Sequence, residues 1–233
     1  MSNLTNFKRY LHSQLTPLPP LDPSLTFTNQ TIIITGANTG LGLEAARHIA
    51  RLGAARVILA VRSLTNGAAA AAPITSSLPS SDNGAAVIEV WELDLSRHAS
   101  IEAFARRAEG ELDRLDVLVA NAGVYMTDFE VAEEAGGDEM TVAVNVVGHM
   151  LLAVLLLPKM RETVVEKGGA GVVTFTGSFT HWMTKFPEGR EERVFEGLRV
   201  REKARMGERF VIAFFGLLTE AVFLFPFLLF LTD

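Results

Sequence analysis

Residues 35–42 read Thr35-Gly36-Ala37-Asn38-Thr39-Gly40-Leu41-Gly42 and directly follow the apolar run Ile32, Ile33 and Ile34. A segment with helical periodicity, Leu43 to Leu52, comes next, so the order is strand, glycine turn, helix. Backbone N–H groups at the start of such a helix attract a diphosphate, and glycine puts no Cβ in its path. The stretch predicts a dinucleotide-binding turn, and the alternative is a tight βα turn without a ligand.

Composition limits the classes of protein to consider. The chain has 233 residues, of which 48% are apolar and 21% charged, and this predicts one globular domain with its own core. A net charge of −6 argues against a nucleic-acid partner, because phosphate contacts need a basic face. The sequence has no cysteine, and its histidines lack metal-ligand spacing, so we predict neither disulfides nor a metal site.

Strand and helix patterns alternate along the chain. Further strands are predicted at Val57 to Val61, Val87 to Leu93, Val117 to Ala120 and Gly171 to Gly177. The intervening stretch Asn66 to Ala86 predicts one or two helical turns at Gly67 to Ala72 and otherwise a surface loop, since it contains Pro73 and Pro79. The pattern favours an α/β fold with a Rossmann-like, doubly wound, mostly parallel sheet, whose ligand lies at the carboxyl ends of the strands.

The residue after the second strand bears on cofactor choice. In a dinucleotide fold an acid at this point accepts the ribose 2′-hydroxyl of NAD, whereas this chain has Val61 followed by Arg62. A guanidinium pairs well with a 2′-phosphate, so the sequence favours NADP over NAD. The alternative is an ordinary surface arginine.

Three motifs occur in the order expected of one family. The spacing Thr-Gly-x-x-x-Gly-x-Gly, the triplet Asn121-Ala122-Gly123 after a strand and Ser178 at the end of the next strand resemble the short-chain dehydrogenase/reductase family. The stretch His181 to Glu188 looks like the substrate-side insertion of fungal retinol-dehydrogenase-like members. The resemblance covers about Asn29 to Arg209 and implies an NAD(P)-binding domain at 29–209, preceded by a proline-rich arm at 1–28.

The resemblance implies hydride transfer between an alcohol and a ketone or aldehyde, on a small lipophilic substrate. It implies cofactor contacts at Thr35, Gly36, Asn38, Thr39, Gly40, Leu41, Gly42, Arg62, Asp94, Leu95, Asn121, Ala122 and Gly123. Asp94 alone is more typical of a helix cap or a turn.

Two further residues are implied to be catalytic: Asn145, which would hold a water, and Ser178, which would bond the substrate carbonyl. The alternative for Asn145 is a buried carboxamide satisfied by a backbone group, and a serine at a strand end is elsewhere usually a cap.

The sequence departs from the family after Arg209. The family's acid/base is the tyrosine of a Tyr-x-x-x-Lys motif, but Phe210 and Phe214 stand at those places, and the tyrosines of this chain are Tyr10 and Tyr125. The sheet therefore appears in the sequence only as far as the fifth strand, which we expect to be an exposed edge. The alternative function is a truncated, catalytically impaired NADP-binding protein.

The last segment, 210–233, is hydrophobic. Phe210 to Leu231 carries one charge, Glu220, and would span about 33 Å as a helix, close to the roughly 30 Å of a bilayer core. Basic residues precede it, which would keep the body of the chain on the cytoplasmic side. We therefore expect a cytoplasmic location or the cytoplasmic face of a membrane. The alternatives are a buried helix and translated sequence beyond a wrong exon boundary.

Overall fold

The computed structural model describes residues 24–78, 86–177 and 192–204, together with 8, 11–12, 15–17, 206 and 223–224. The strands are β1 (Thr31–Thr35), β2 (Arg56–Val61), β3 (Val87–Glu92), β4 (Val117–Ala120), β5 (Val131–Ala132), β6 (Asp138–Glu139), β7 (Val172–Phe175) and β8 (Phe223–Leu224). The α-helices are α1 (Gly40–Arg51), α2 (Leu64–Ser77), α3 (His98–Glu111), α4 (Met140–Val142), α5 (His149–Lys167) and α6 (Val194–Leu198). A π-helical turn, Ala143–Gly148, joins α4 to α5, and short 3₁₀ turns lie at Glu133–Ala135 and Arg201–Lys203.

The main sheet has the order β3-β2-β1-β4-β7-β8, and its first five strands are parallel. Strand β1 lies between β2 and β4, and Ile32, Ile33 and Ile34 are each 0% exposed. Such continuous apolar runs suit a parallel strand covered on both faces. The order of the strands reverses between β1 and β4, so their carboxyl ends open a crevice at this switch point. The predicted α/β, doubly wound fold is confirmed.

The outer side of β7 differs from the expected exposed edge. Val172 and Val173 pair with Leu224 and Phe223 of β8, which runs antiparallel to β7. Unpaired N–H and C=O groups of an edge strand are satisfied when another segment adds to the sheet, and here a later part of the chain does so. The remainder of the predicted membrane segment Phe210 to Leu231 lies outside the described residues.

Two apolar layers cover the faces of the sheet. One lies under α3 and α5 and includes Trp91, whose ring meets Phe104 edge to face at 5.5 Å between centroids. The other lies under α1 and α2. Within the described residues, the helical stretch Met140–Lys167 is long and apolar enough to cross a membrane, but 61% of its most apolar 18-residue window is buried. Core helices of globular domains share these properties.

Helix α2 is longer than the one or two turns predicted at Gly67 to Ala72 and replaces the first part of the predicted surface loop. The helix runs for 14 residues, from Leu64 to Ser77, with Pro73 inside it. Gly67, Ala70 and Ile74 are buried against the sheet, so packing of one face outweighs the hydrogen bond that proline cannot donate. The helix therefore continues past the predicted end at Ala72 to Ser77.

The end of the N-terminal arm is part of the fold. The N–H of Phe27 donates to the Leu52 carbonyl at 2.9 Å, and Thr28 forms an isolated antiparallel bridge with Ala54. Phe27 also packs against the core layer under α1. These contacts fix the entry of the chain into β1.

Candidate active site

A cleft of about 570 Å³ lies at the carboxyl ends of the central strands. Eleven of the thirteen predicted cofactor residues line it: Thr35, Gly36, Asn38, Thr39, Leu41, Arg62, Asp94, Leu95, Asn121, Ala122 and Gly123. The other two, Gly40 and Gly42, belong to the first turn of α1. The cleft is also lined by residues that the sequence analysis did not single out, among them Ser63, Asn66, Ser96, Val124 and Thr176.

The glycines of the turn serve two structural purposes. Gly36 and Gly40 have φ of +65° and +57°, the left-handed region that favours glycine. At Gly42 a Cβ would come within 2.5 Å of Asn121 Nδ2 and 2.7 Å of the Gly36 carbonyl, so this glycine lets α1 approach the turn after β4. Thr39 is the N-cap of α1, and its side chain makes no capping hydrogen bond. First-turn N–H groups of α1 therefore remain for an anion, and these residues fit a diphosphate.

The Thr35 side chain bonds to the turn that follows the neighbouring strand, β4. Its side chain is buried, and its Oγ1 accepts the N–H groups of Asn121 and Ala122, both at 2.9 Å. The Asn121 side chain donates from Nδ2 to the Thr35 carbonyl at 3.0 Å and accepts the Thr176 hydroxyl at 3.3 Å. These bonds hold the ends of β1, β4 and the residue after β7 together.

Arg62 and Asp94 lie on the β2 and β3 side of the cleft. Arg62 is exposed, and the next residue, Ser63, caps α2 by accepting the Asn66 N–H at 3.3 Å. The Asp94 carboxylate accepts the N–H and the hydroxyl of Ser96 at 2.9 and 2.6 Å. Asp94 thus forms the turn that was its alternative, and it also lines the cleft.

Asn145 lies in the π-helical turn and is 4% exposed. Its Nδ2 donates to the Val124 carbonyl at 3.0 Å, and its Oδ1 accepts the Val124 N–H at 2.8 Å. The buried carboxamide is thus satisfied by a backbone group, as the alternative interpretation required. Single π turns inside α-helices often occur at functional sites. Here the turn fixes the residues after β4 to the start of the long helix.

His149 was not selected from the sequence, yet it is part of this arrangement. The ring is 2% exposed, with Nε2 at 3.0 Å from Thr35 Oγ1 and Nδ1 at 3.4 Å from the Asn145 carbonyl. Burial lowers the pKa of His149 to about 4, because a buried imidazolium loses its hydration. The sequence pattern that could have found it is its i, i+4 spacing from Asn145 within an apolar helix.

Several predicted features lie outside the described residues. They are Ser178, the stretch His181 to Glu188, Phe210 and Phe214. Among the described residues, no group of three or more His, Asp and Glu side chains could hold a metal ion.

The fold and the glycine turn are those of a dinucleotide-binding α/β domain. The family model for short chain dehydrogenases matches residues 30–186. A short chain dehydrogenase/reductase of Cryptosporiopsis sp., dmxR8, is 43% identical over 179 residues, which cover 77% of this chain and 53% of that protein. A short-chain dehydrogenase of Penicillium roqueforti, anuD, is 40% identical over 204 residues, which cover 88% of this chain and 51% of that protein. The chain belongs to the short-chain dehydrogenase/reductase family.

Solved structures agree with this assignment. The structure of an Escherichia coli oxidoreductase, yciK, matches with a TM-score of 0.53 and 26% identity, covering 82% of this chain and 69% of that one. The chain spans about half the length of the two fungal relatives, 53% and 51%.

Proposed function

We propose that this protein is an NADP-dependent oxidoreductase that transfers a hydride between an alcohol and the corresponding ketone or aldehyde of a small lipophilic molecule. The observation that carries the proposal is the cleft at the switch point of the sheet, which is lined by the glycine turn, Arg62 and the Asn121-Ala122-Gly123 turn. Ligands of open parallel sheets bind at this place. Membership of the family supports the reaction class.

The groups in the cleft bind the cofactor or position the reacting groups. First-turn N–H groups of α1 hold the diphosphate, and the Arg62 guanidinium pairs with the 2′-phosphate of the adenosine ribose. When bound, the nicotinamide gives or takes the hydride. Asn145 fixes the turn at Val124 beside the reacting groups and orients water, while Ser178 donates to the substrate oxygen.

The cofactor preference is tested by titrating NADPH and NADH against the wild-type chain and an Arg62→Ala variant. A charge-assisted hydrogen bond is worth about 1.5 to 3 kcal/mol, so loss of Arg62 should weaken NADPH binding roughly ten- to a hundredfold and leave NADH binding almost unchanged. Arg51→Ala is the control, because Arg51 is exposed in the last turn of α1, away from the cleft. Equal affinity of the wild type for both cofactors would refute the assignment to NADP.

A second candidate function is nucleotide binding with little turnover. It is favoured by one observation, that neither Tyr10 nor Tyr125 follows Ser178, where the family's proton donor would stand. Both candidates predict cofactor binding, so binding does not separate them. Turnover measured at saturating cofactor separates the two candidate functions.

The proposal extends to the domain organisation, the partner and the location of the protein. The cofactor domain comprises 29–209, with an arm at 1–28 and a hydrophobic segment at 210–233. The partner is a small alcohol or carbonyl compound and not a nucleic acid. The protein is cytoplasmic, or lies on the cytoplasmic face of a membrane through Phe210 to Leu231.

A further inference from the structure

We infer that His149 is a positioning residue for the cofactor cleft, because it accepts a hydrogen bond from the Thr35 hydroxyl and so leaves both lone pairs of Thr35 Oγ1 to accept from the amides of Asn121 and Ala122. The role at the cofactor rests on the proposed function. The network itself is a property of the chain alone.

The tautomer of His149 follows from its two partners. The Asn145 carbonyl can only accept a hydrogen bond, so the ring nitrogen facing it at 3.4 Å, Nδ1, carries the proton. In a neutral ring Nε2 is then an acceptor, and the group 3.0 Å from it, Thr35 Oγ1, must donate. Burial keeps the ring neutral.

The Thr35 hydroxyl is then fully used. It has one proton and two lone pairs, and the lone pairs accept the N–H groups of Asn121 and Ala122 at 2.9 Å. A competing acceptor, the Val119 carbonyl, lies 3.5 Å from Oγ1, farther than His149 Nε2 at 3.0 Å, so the hydroxyl makes its shorter bond to the ring. Without His149, Oγ1 would have to move towards Val119 to satisfy its proton, and it would move away from the two amides.

The network connects the two sides of the cleft. Asn145, whose carbonyl meets His149, also fixes Val124 through its side chain, and Val124 lies three residues after Asn121. The turn after β4 is therefore fixed at both ends from the same helical stretch. Its Ala122 lies against Gly36, where a Cβ would meet Ala122 Cα at 2.9 Å. Loosening the turn should therefore also disturb the glycine turn.

The decisive measurement is hydrogen exchange of the Asn121 and Ala122 amides in the full chain without cofactor. In His149→Phe we expect these two amides to exchange about three- to tenfold faster, the effect of one lost hydrogen bond. The amide of Leu59, which is fully buried in β2, should be unchanged and serves as the internal reference. His149→Gln keeps an acceptor in the ring's place and should retain most of the protection.

A double-mutant cycle separates positioning from packing. Thr35→Val removes the hydroxyl, so His149→Phe should have no further effect on the two amides in the Thr35→Val background. Equal effects of His149→Phe with and without the Thr35 hydroxyl, or unchanged exchange despite a lower melting temperature, would overturn the inference.

Cofactor binding is measured on the same variants. NADPH affinity should fall about three- to tenfold in His149→Phe and remain within about threefold of wild type in His149→Gln. His48→Phe is the control, since His48 is exposed on α1. If the wild type binds no nicotinamide cofactor, the proposed function fails while the exchange data still decide the role of His149. Faster exchange with unchanged affinity would overturn the link to the cofactor.

Discussion

Two small residues, Thr35 and Gly42, show how single atoms shape the cleft. The hydroxyl of Thr35 ties β1 to the turn after β4, and the missing Cβ of Gly42 allows α1 to approach that turn. Neither residue needs to touch a ligand to be important for the site. The glycine turn that includes Thr35 and Gly42 is therefore required for close packing as well as for the predicted ligand binding.

Gly42→Ala should destabilise the protein. The added Cβ would lie 2.7 Å from the Gly36 carbonyl, which is backbone and cannot rotate away, so we expect a loss of about 1 to 3 kcal/mol in the free energy of unfolding. Urea denaturation measures this loss. Gly110→Ala is the matched control, because Gly110 lies in α3 with no atom within 4 Å of an added Cβ and should gain about 0.5 to 1 kcal/mol. Similar stabilities of the two variants would contradict the steric argument.

Because His149 is buried in its neutral form, we expect the stability of the protein to fall in mild acid. Its pKa is about 4 when folded, against an ordinary value near 6.5, so between these values the unfolded chain binds more protons. The stability that depends on a neutral His149 is fully present above about pH 6.5 and is lost as the pH falls towards 4. The free energy of unfolding should fall by about 3 kcal/mol in all over this range. Urea denaturation at pH 7 and pH 5 should show the slope, and His149→Gln should reduce it. The same slope in that variant would assign the effect to other groups.

Among the elements, the helical stretch Met140–Lys167 does the most to build the site. The π turn within it carries Asn145, and the α5 residue that follows the turn is His149, so one element reaches both Val124 and Thr35. Gly148 permits this approach, since a Cβ there would meet the Leu95 carbonyl at 2.5 Å. The long helix is thus held close to the ends of β3 and β4.

The cost of placing Pro73 inside α2 can be measured by substitution. This residue is exposed inside the helix, so Pro73→Ala loses little packing, restores a backbone donor and removes the clash with the preceding turn. The greater freedom of the unfolded alanine chain offsets part of this gain. We expect a net gain of about 1 to 2 kcal/mol, measured by thermal or urea unfolding. A lower melting temperature would mean that proline fits this helix without strain.

At the scale of the whole molecule, the sheet order brings distant residues to one cleft. The Thr35 hydroxyl and the His149 ring are 114 positions apart, and Asn121 meets Thr176 across 55 positions. The site therefore exists only when β1, β4 and β7 are assembled. The chain also spans about half the length of fungal relatives that it matches, 53% and 51%.

We expect this chain to bind NADPH but to oxidise it slowly. Loss of a general acid/base typically removes 10² to 10⁴ in rate, and Phe210 and Phe214 cannot replace tyrosine and lysine. We expect at most trace NADPH oxidation with a panel of retinoid, steroid and aromatic carbonyls. Robust turnover by the present chain would show that another residue supplies the proton, with Tyr125 the first to examine.

The sequence by itself determined the strand, glycine turn and helix at Ile32 to Leu52, the alternation of strands and helices that predicts the α/β class, and the set of residues at the strand ends. These are local properties, because side-chain periodicity and the backbone freedom of glycine act over a few residues. The family resemblance located the Asn121 turn and Asn145, but it did not show what either side chain contacts.

Only the tertiary structure decided the continuation of α2 through Pro73, the pairing of β8 with β7 and the burial of His149 beside Thr35. Each depends on contacts between distant segments. Packing against the sheet outweighs the local cost of proline, an open strand edge accepts whichever segment reaches it, and a buried imidazole is neutral only because of what surrounds it. Hydrogen-bond partners separated by a hundred residues leave no periodic trace in the sequence.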